Sequence, residues 1–333
     1  MGWVDLSGLA ASWPGGSAEG GSVESQWAGA GPFNTLAAVS MTYPALAEGE
    51  FGELVALAAR CLAADGGLPL ADEPSFLHRR WAAAGVITAT VRGDGGGLAA
   101  AGSVRPAPSG DGSIVTGLVD PAERGRGIGG RLLDWGLAES GRPVTVETES
   151  LTTAAERLYQ SRGLRRVFAE TVMRIDLTSP PAAAPPGPWP AGAILSGWSD
   201  TTAERFFAVY EAAFRERPGF PGWSAQEWIG GLADDDEFRP GWSVLVELPG
   251  LGDVGFVTAT VGWIDQVGVT PAARGTGLGA ALIGESLARM RADDATEAWL
   301  NVNVDNPADR LYRRLGFEDR GRRARFQPDA SVR

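Results

Sequence analysis

The strongest constraint on how this chain folds is that it repeats itself. An Arg-Gly-x-Gly segment occurs twice, as RGRGIGG (Arg124–Gly130) and RGTGLGA (Arg274–Ala280), each time after a strand-like run and before a helical one. A tyrosine follows each segment, at Tyr159 and Tyr312. The arginines lie 150 residues apart and the tyrosines 153, an offset that two unrelated motifs would not keep. Around both segments the order of features is the same: helices, two or three strands, the Gly-rich turn, a helix, a strand, a helix and a last strand. Between the copies, SPPAAAPPGPWP (Ser179–Pro190) holds too much proline for a helix or a central strand and reads as a semi-rigid linker. The expectation is two domains of one fold, 41–178 and 193–333, joined by residues 179–192. A chain of 333 residues has room for two. Residues 1–40, rich in Gly, Ser and Ala, fall outside both copies and are expected to be poorly ordered, with Met41 an alternative start.

Within the first copy, apolar spacing predicts helices over Glu48–Asp65 and Asp72–Ala84, and strands over Val86–Arg92, Leu98–Val104 and Ser113–Val119. The second copy offers TTAERFFAVYEAAF and SAQEWIGGLA as helices, and WSVLVEL, VGFVTAT and WIDQVGV as strands.

Rare residues narrow the chemistry. Cys61 and His78 are the only residues of their kinds, which removes disulfide frameworks, Cys/His zinc sites and paired redox thiols. Cys61 reads as a core thiol and His78 as a partly exposed helical residue. With 29 basic and 41 acidic residues, the net charge of −12 argues against a nucleic-acid or anionic-membrane surface. No run approaches the roughly 18 apolar residues of a membrane span, and no secretory signal is visible, so a cytoplasmic address is expected. Every basic residue is Arg, which reads as coding bias.

The Gly-rich turns point to a phosphate. Glycines between a strand and a helix let backbone N–H groups approach an anion, and the helix N-terminus adds partial positive charge. Both segments also spell G-x-G-x-x-G/A, the dinucleotide fingerprint. That turn normally follows the first strand directly, whereas here several strands come earlier and a five-residue insert (Asp120–Arg124; Thr270–Arg274) intervenes. An acid at ribose distance is present in one copy only, as Glu147 and Glu149 against Asn301 and Asn303. A nicotinamide site is therefore disfavoured.

Val269-Thr-Pro-Ala-Ala-Arg274-Gly-Thr-Gly277-Leu-Gly279, followed by Asn306-Pro-Ala-Asp-Arg-Leu-Tyr312-Arg-Arg-Leu-Gly316-Phe317, resembles the GNAT superfamily of acyl-CoA-dependent N-acetyltransferases. In the first copy Val119–Gly129 matches equally well, while Leu164 replaces the usual Phe and Thr153 the Asn. The tandem arrangement is similar to the mycothiol synthase-like two-domain acetyltransferases of actinobacteria. The resemblance implies an α/β (α+β) fold of two GNAT-like domains, each a mixed, mostly antiparallel sheet flanked by helices. It implies direct acetyl transfer from acetyl-CoA to a primary amine of a small molecule or peptide, with no metal, by a monomer or homodimer.

Residue by residue, the resemblance places the donor on Arg274, Gly275, Thr276, Gly277, Leu278 and Gly279, with Val267, Val269 and Asn306 along the pantetheine arm. The first-copy set is Val119, Arg124, Gly125, Arg126, Gly127, Ile128 and Gly129. Tyr312 holds the family's acid position, and Tyr159 its counterpart. Where members often carry a Glu, six residues before the last strand Val, this chain has Trp263. Asp265, two residues on and nominally on the same face, is the candidate base. The first copy has Ser113 and Val115 there, so catalysis is assigned to the second copy, with the first binding CoA unproductively or serving structure. The competing reading is a non-catalytic acyl-CoA-binding module. Three further features have two readings each. Trp223, Trp228, Trp242, Trp263 and Trp299 line an acceptor pocket or fill core. The run Asp234–Glu237 selects a cationic acceptor or forms a solvated loop. Arg320, Arg322, Arg323 and Arg325 meet a CoA phosphate or face solvent from a strand.

Overall fold

A computed structural model describes residues 44–108, 110–179, 189–217 and 220–329. The expectations for residues 1–40 and for the centre of the Pro-rich segment (180–188) lie outside the described residues.

The first copy runs α1 (Phe51–Asp65), α2 (Pro74–Trp81), β1 (Ile87–Arg92), β2 (Leu98–Pro106), β3 (Ser113–Val119), α3 (Ile128–Glu139), β4 (Val144–Thr148), α4 (Thr153–Ser161) and β5 (Leu164–Asp176). The second runs β6 (Ile194–Gly197), α5 (Ala203–Phe214), α6 (Ala225–Ala233), β7 (Val244–Leu248), β8 (Gly252–Thr260), β9 (Trp263–Val269), α7 (Leu278–Ala292), β10 (Glu297–Asn303), α8 (Asp309–Arg314) and β11 (Glu318–Pro328). In α1, Leu54, Leu57, Ala58 and Cys61 are buried at helical spacing, so one apolar stripe seats the helix. Both early helices start later than expected. Glu48–Glu50 is a 3-10 turn ahead of α1, and α2 begins at Pro74, whose fixed φ suits a first helical position.

The two copies build the same ladder. β1, β2 and β3 pair antiparallel and β3 pairs parallel with β4; β6, β7, β8 and β9 pair antiparallel and β9 pairs parallel with β10. Both parallel registers are short. They end at Val115↔Val146 and at Trp263↔Trp299, so the stretch of β3 or β9 leading to each Gly-rich turn runs on without that partner. Its free backbone groups are available to a ligand that lies along the strand.

The described residues form two compact units. The first unit takes residues up to Met173, Asn301–Asp309 and those from Asp319 on; the second takes Arg174–Leu300 and Arg310–Glu318. The end of the chain therefore belongs with its first half. β11 pairs antiparallel with β4 through Ala324↔Thr148, Arg325↔Glu147 and Phe326↔Val146, and the Leu151 N–H donates to Arg322 O at 2.7 Å.

That placement overturns both readings of Arg323. Its side chain is 4% exposed and meets Glu149 at 3.0 Å and Glu170 at 4.0 Å. Arg325 meets Glu147 at 3.2 Å, and Arg80 meets Glu147 at 2.7 Å and Glu149 at 3.3 Å, while Arg105 also pairs with Glu147. Burial alone would raise the Glu147 carboxyl, but Arg80, Arg325 and Arg105 hold it well below the usual range. Glu170, buried and more distant from its arginine, is pushed up instead.

Candidate active site

The two Gly-rich turns are built alike. Gly125 and Gly127 have φ of 78° and 76°, Gly275 and Gly277 of 79° and 84°, all in the left-handed region that favours glycine. A Cβ at Gly125, Gly275 or Gly277 would meet nothing within 4 Å, so conformation, not crowding, demands glycine there and the space in front is open. Neither Gly127 nor Gly277 caps its helix with a side chain, and the first N–H groups of α3 and α7 are left for an anion. Such a cradle fits a pyrophosphate. The third glycine does other work: a Cβ on Gly279 would lie 3.5 Å from Leu311, and one on Gly129 3.7 Å from Leu158, so both let the next helix approach.

The two arginines brace these turns. Arg274 donates to Val269 O (3.3 Å) and Ala213 O (3.0 Å). Arg124 donates to Val119 O (3.2 Å) and holds Asp65 in a two-pronged pair at 2.7 Å on each arm. Thr276 donates to Ala273 O at 2.8 Å, and Asn306 Oδ1 accepts from Ala308 N–H at 3.0 Å, ordering the turn before α8. Arg126 reaches Glu123 and, at 3.7 Å, Asp94.

In the first unit a cavity of about 390 Å³ extends from Gly125–Gly130 along Val115–Val119 to Thr148–Ser150. Cys61, 3% exposed, lies in its wall and donates to Val119 O at 3.4 Å. Tyr159 also lines it, with its ring 4.8 Å from Phe326; burial pushes that phenol up to about 12, with Thr148 opposing the rise. Glu149 also lines it, already ion-paired with Arg80 and Arg323.

In the second unit Asp265 sits on a β-bulge. Thr258 pairs with Gln266 and Ala259 with Ile264, which leaves Asp265 as the extra residue. A bulge re-aims the side chain it carries and interrupts the alternation that nominally put Asp265 on the face of Trp263. Thr258 Oγ1 donates to Asp265 Oδ2 at 3.3 Å. Burial raises the carboxyl to about 7, the Thr258 bond opposes that rise, and Asp235 adds to it. Next door, Trp228 Nε1 donates to Gln266 (3.3 Å) and the Trp228 ring stacks on Tyr210 at 4.9 Å.

Tyr312, on α8, is 7% exposed, with its ring 6.1 Å from Phe317. Burial pushes its phenol up to about 12 and Arg217 pulls the other way. Neither Arg217, in an aperiodic loop, nor Tyr210, one aromatic among several on α5, stands out by spacing. The only advance signal for Tyr210 was a hydroxyl on an otherwise apolar helix face. The acidic run is not a free loop: Val261 N–H donates to Glu237 O and Arg239 N–H to Ala259 O, both at 2.9 Å, tying it to the end of β8 near Thr258. Of the tryptophans, Trp228 and Trp242 are core at 0% and 7% exposed, while Trp263 and Trp299 are half-buried with rings 6.1 Å apart.

Short parallel registers, left-handed glycine cradles at two helix starts and a tyrosine on the following helix together define an acyl-CoA transferase fold. The sequence matches the acetyltransferase (GNAT) family over residues 56–164 and 195–317, and the chain belongs to that family. It is homologous to the mycothiol acetyltransferases of actinobacteria. It is 32% identical to that of Thermobispora bispora, over 81% of this chain and 92% of the relative. It is 28% identical to that of Frankia alni, over 86% and 94%. Among solved structures, a GCN5-related N-acetyltransferase from Sphaerobacter thermophilus superposes with a TM-score of 0.63 at 26% identity, covering 85% of this chain and 93% of the other. A tandem GNAT protein from the clavulanic acid pathway shares the fold, with a TM-score of 0.54 at 19% identity over 85% of this chain and 96% of its own. The expected fold of two GNAT regions, each with a mixed, mostly antiparallel sheet and flanking helices, stands. No helix among the described residues is long and apolar enough to cross a membrane.

Proposed function

We propose that the chain acetylates the primary amine of a small molecule resembling a mycothiol precursor, and that its second copy performs the transfer. The observation that carries this is Asp265, a carboxyl raised to about 7 on a bulge of the strand that leads to the Gly277 turn, in the same unit as Tyr312. A base works best near the operating pH, and this one is poised there. Asp265 takes the proton that the amine must shed. Tyr312 gives its proton to the departing sulfur. The N–H groups at Gly277–Gly279 and the free edge at Val267 and Val269 hold the donor, with Arg274 bracing the turn. Acetyl-CoA supplies the activated acyl thioester, so no nucleophilic Cys or His is needed. The names of the relatives support a small amine acceptor rather than a peptide.

For the first copy, binding without transfer is the reading favoured by its cavity. The carboxylate that lines it, Glu149, is already paired with two arginines, Arg80 and Arg323. An amine panel with acetyl-CoA, read by thiol release, tests the proposal on the wild type and on Tyr312→Phe. Thiol release that needs an amine and drops in the variant supports it. A protein that binds the donor in calorimetry yet releases no thiol with any amine is a binding module instead.

A further inference from the structure

The two copies fill the space between their first helices and the sheet differently. The buried residues of α1, Leu54, Leu57, Ala58 and Cys61, recur on α5 as Phe206, Val209, Tyr210 and Ala213, each 152 residues on. Leu77 and Trp81 of α2 recur on α6 as Trp228 and Leu232, each 151 residues on. Both offsets fall inside the 150–153 that separates the Arg-Gly-x-Gly segments and the tyrosines, so the positions correspond. In the second copy Tyr210 and Trp228 stack with ring centroids 4.9 Å apart. In the first copy Ala58 and Leu77 stand in their places. Trp81, against Leu232, returns the indole that Leu77 gives up, but nothing at Ala58 returns the phenol of Tyr210. Ala58, Leu77 and Trp81 all line the cavity of about 390 Å³, the same cavity that reaches the glycines of Gly125–Gly130. Val115 lines it too, and its counterpart 150 residues on is Asp265. The first copy therefore has an apolar hollow about a phenol in size where the second has an aromatic pair beside a carboxyl.

Interiors are close-packed, so a hollow of that size forfeits contacts that an apolar guest restores. An anion cradle at one part of a cavity and bare hydrocarbon at another fit a ligand that carries phosphate and an alkyl chain together. We infer that the first copy binds an acyl-CoA whose acyl chain is longer than acetyl. The pyrophosphate lies on the N–H groups that follow Arg124, the pantetheine arm along Val115–Val119, and the chain in the hollow beside Ala58 and Leu77. The inference rests on the reading of the first copy as a donor site without transfer, and deepens it. An acetyl group leaves the hollow unfilled. A chain of about five or six carbons occupies the room of one phenol. Tyr210 takes up that room in the second copy, so the two copies differ in the donor they prefer.

Calorimetry on the full chain with acetyl-, butanoyl-, hexanoyl- and octanoyl-CoA tests this. Gly277→Glu closes the second cradle, so the binding that remains reads the first copy. There the affinity is expected to rise about threefold per methylene, roughly a hundredfold from acetyl to hexanoyl, and to level off at octanoyl. The wild type should show the same tight hexanoyl site, and Gly127→Glu should remove it. Ala58→Tyr, which gives the first copy the side chain of the second, should erase the rise and keep the acetyl-CoA affinity; the smaller Ala58→Leu should blunt it. Cys61, the only cysteine, lies in the cavity wall and gives a readout that needs no variant: bound hexanoyl-CoA should slow its alkylation by iodoacetamide more than acetyl-CoA does at equal occupancy. An affinity that stays flat or falls with chain length, a rise that survives Ala58→Tyr, or a hexanoyl site that persists in Gly127→Glu overturns the inference while leaving donor binding by the first copy intact. A Gly277→Glu protein that folds yet binds none of the four sinks the donor-site reading of the first copy, and the inference with it.

Discussion

Thr258 Oγ1 donates to Asp265 Oδ2 at 3.3 Å, from a residue whose strand partner is Gln266, so the bulge turns the carboxyl back onto the neighbouring strand. This bond opposes the rise that burial imposes on Asp265. A base acts only when deprotonated, so kcat/KM should climb with pH and level off above about 7. Asp265→Asn should remove that limb and cost roughly 10²–10⁴-fold in kcat. Thr258→Val removes a bond that favours the charged form, so the limb should move to higher pH. A limb unchanged in Asp265→Asn would assign the base elsewhere.

The same group gives a stability prediction of opposite sense. The folded protein holds the Asp265 proton up to about 7 while an unfolded Asp releases it near 3.8, so the fold loses this contribution as pH rises through that window. Urea midpoints measured at pH 5 and pH 8 should differ less in Asp265→Asn than in the wild type. An equal difference in both proteins would mean that Asp265 is not the group responsible.

Tyr312→Phe should lower kcat by roughly 10²–10⁴-fold and leave donor affinity in calorimetry unchanged, since the hydroxyl acts on the departing sulfur. With the phenol raised to about 12, no loss of activity below pH 10 should trace to it. An alkaline limb near 9 that vanishes in Tyr312→Phe would contradict this.

Gly277→Glu should abolish turnover, and Gly127→Glu should largely spare it. Each variant puts a carboxylate into an anion cradle and forces a side chain onto a left-handed backbone, a strain of about 1–3 kcal/mol. Circular dichroism controls for folding. Turnover lost only in Gly127→Glu would move the transfer to the first copy.

Arg323→Met should destabilise the protein by about 3 kcal/mol, because it leaves Glu149 with Arg80 alone and removes the partner of Glu170. Chemical denaturation followed by tryptophan fluorescence reads the loss. A change below about 0.5 kcal/mol would mean that the buried ion pairs contribute no net stability.

Much of the architecture was legible because it rests on repeated local signals. The strand before Arg274, the glycines after it and the helix carrying Tyr312 each announce themselves by spacing. Three things did not. The bulge at Asp265 depends on which residue of β8 stands opposite, and a single strand carries no record of that. Arg323 and Arg325 alternate like solvent-facing strand residues; their ion pairs are with acids on and just after β4, some 175 residues earlier in the chain, at Glu147 and Glu149. Arg217 lies where no periodicity exists to read, and its place over the Phe214 ring shows only in the packing.

The placement of β11 beside β4 also sets a timetable for synthesis. Translation makes β4 early, yet the strand that covers its edge is made about 175 residues later. At about 5–20 residues per second, the first unit waits on the order of ten seconds with that edge bare and its acids unmatched by Arg323 and Arg325. During that interval the nascent chain offers an open strand edge to its neighbours, so its yield in cells should respond to chaperone supply more than its finished stability would suggest.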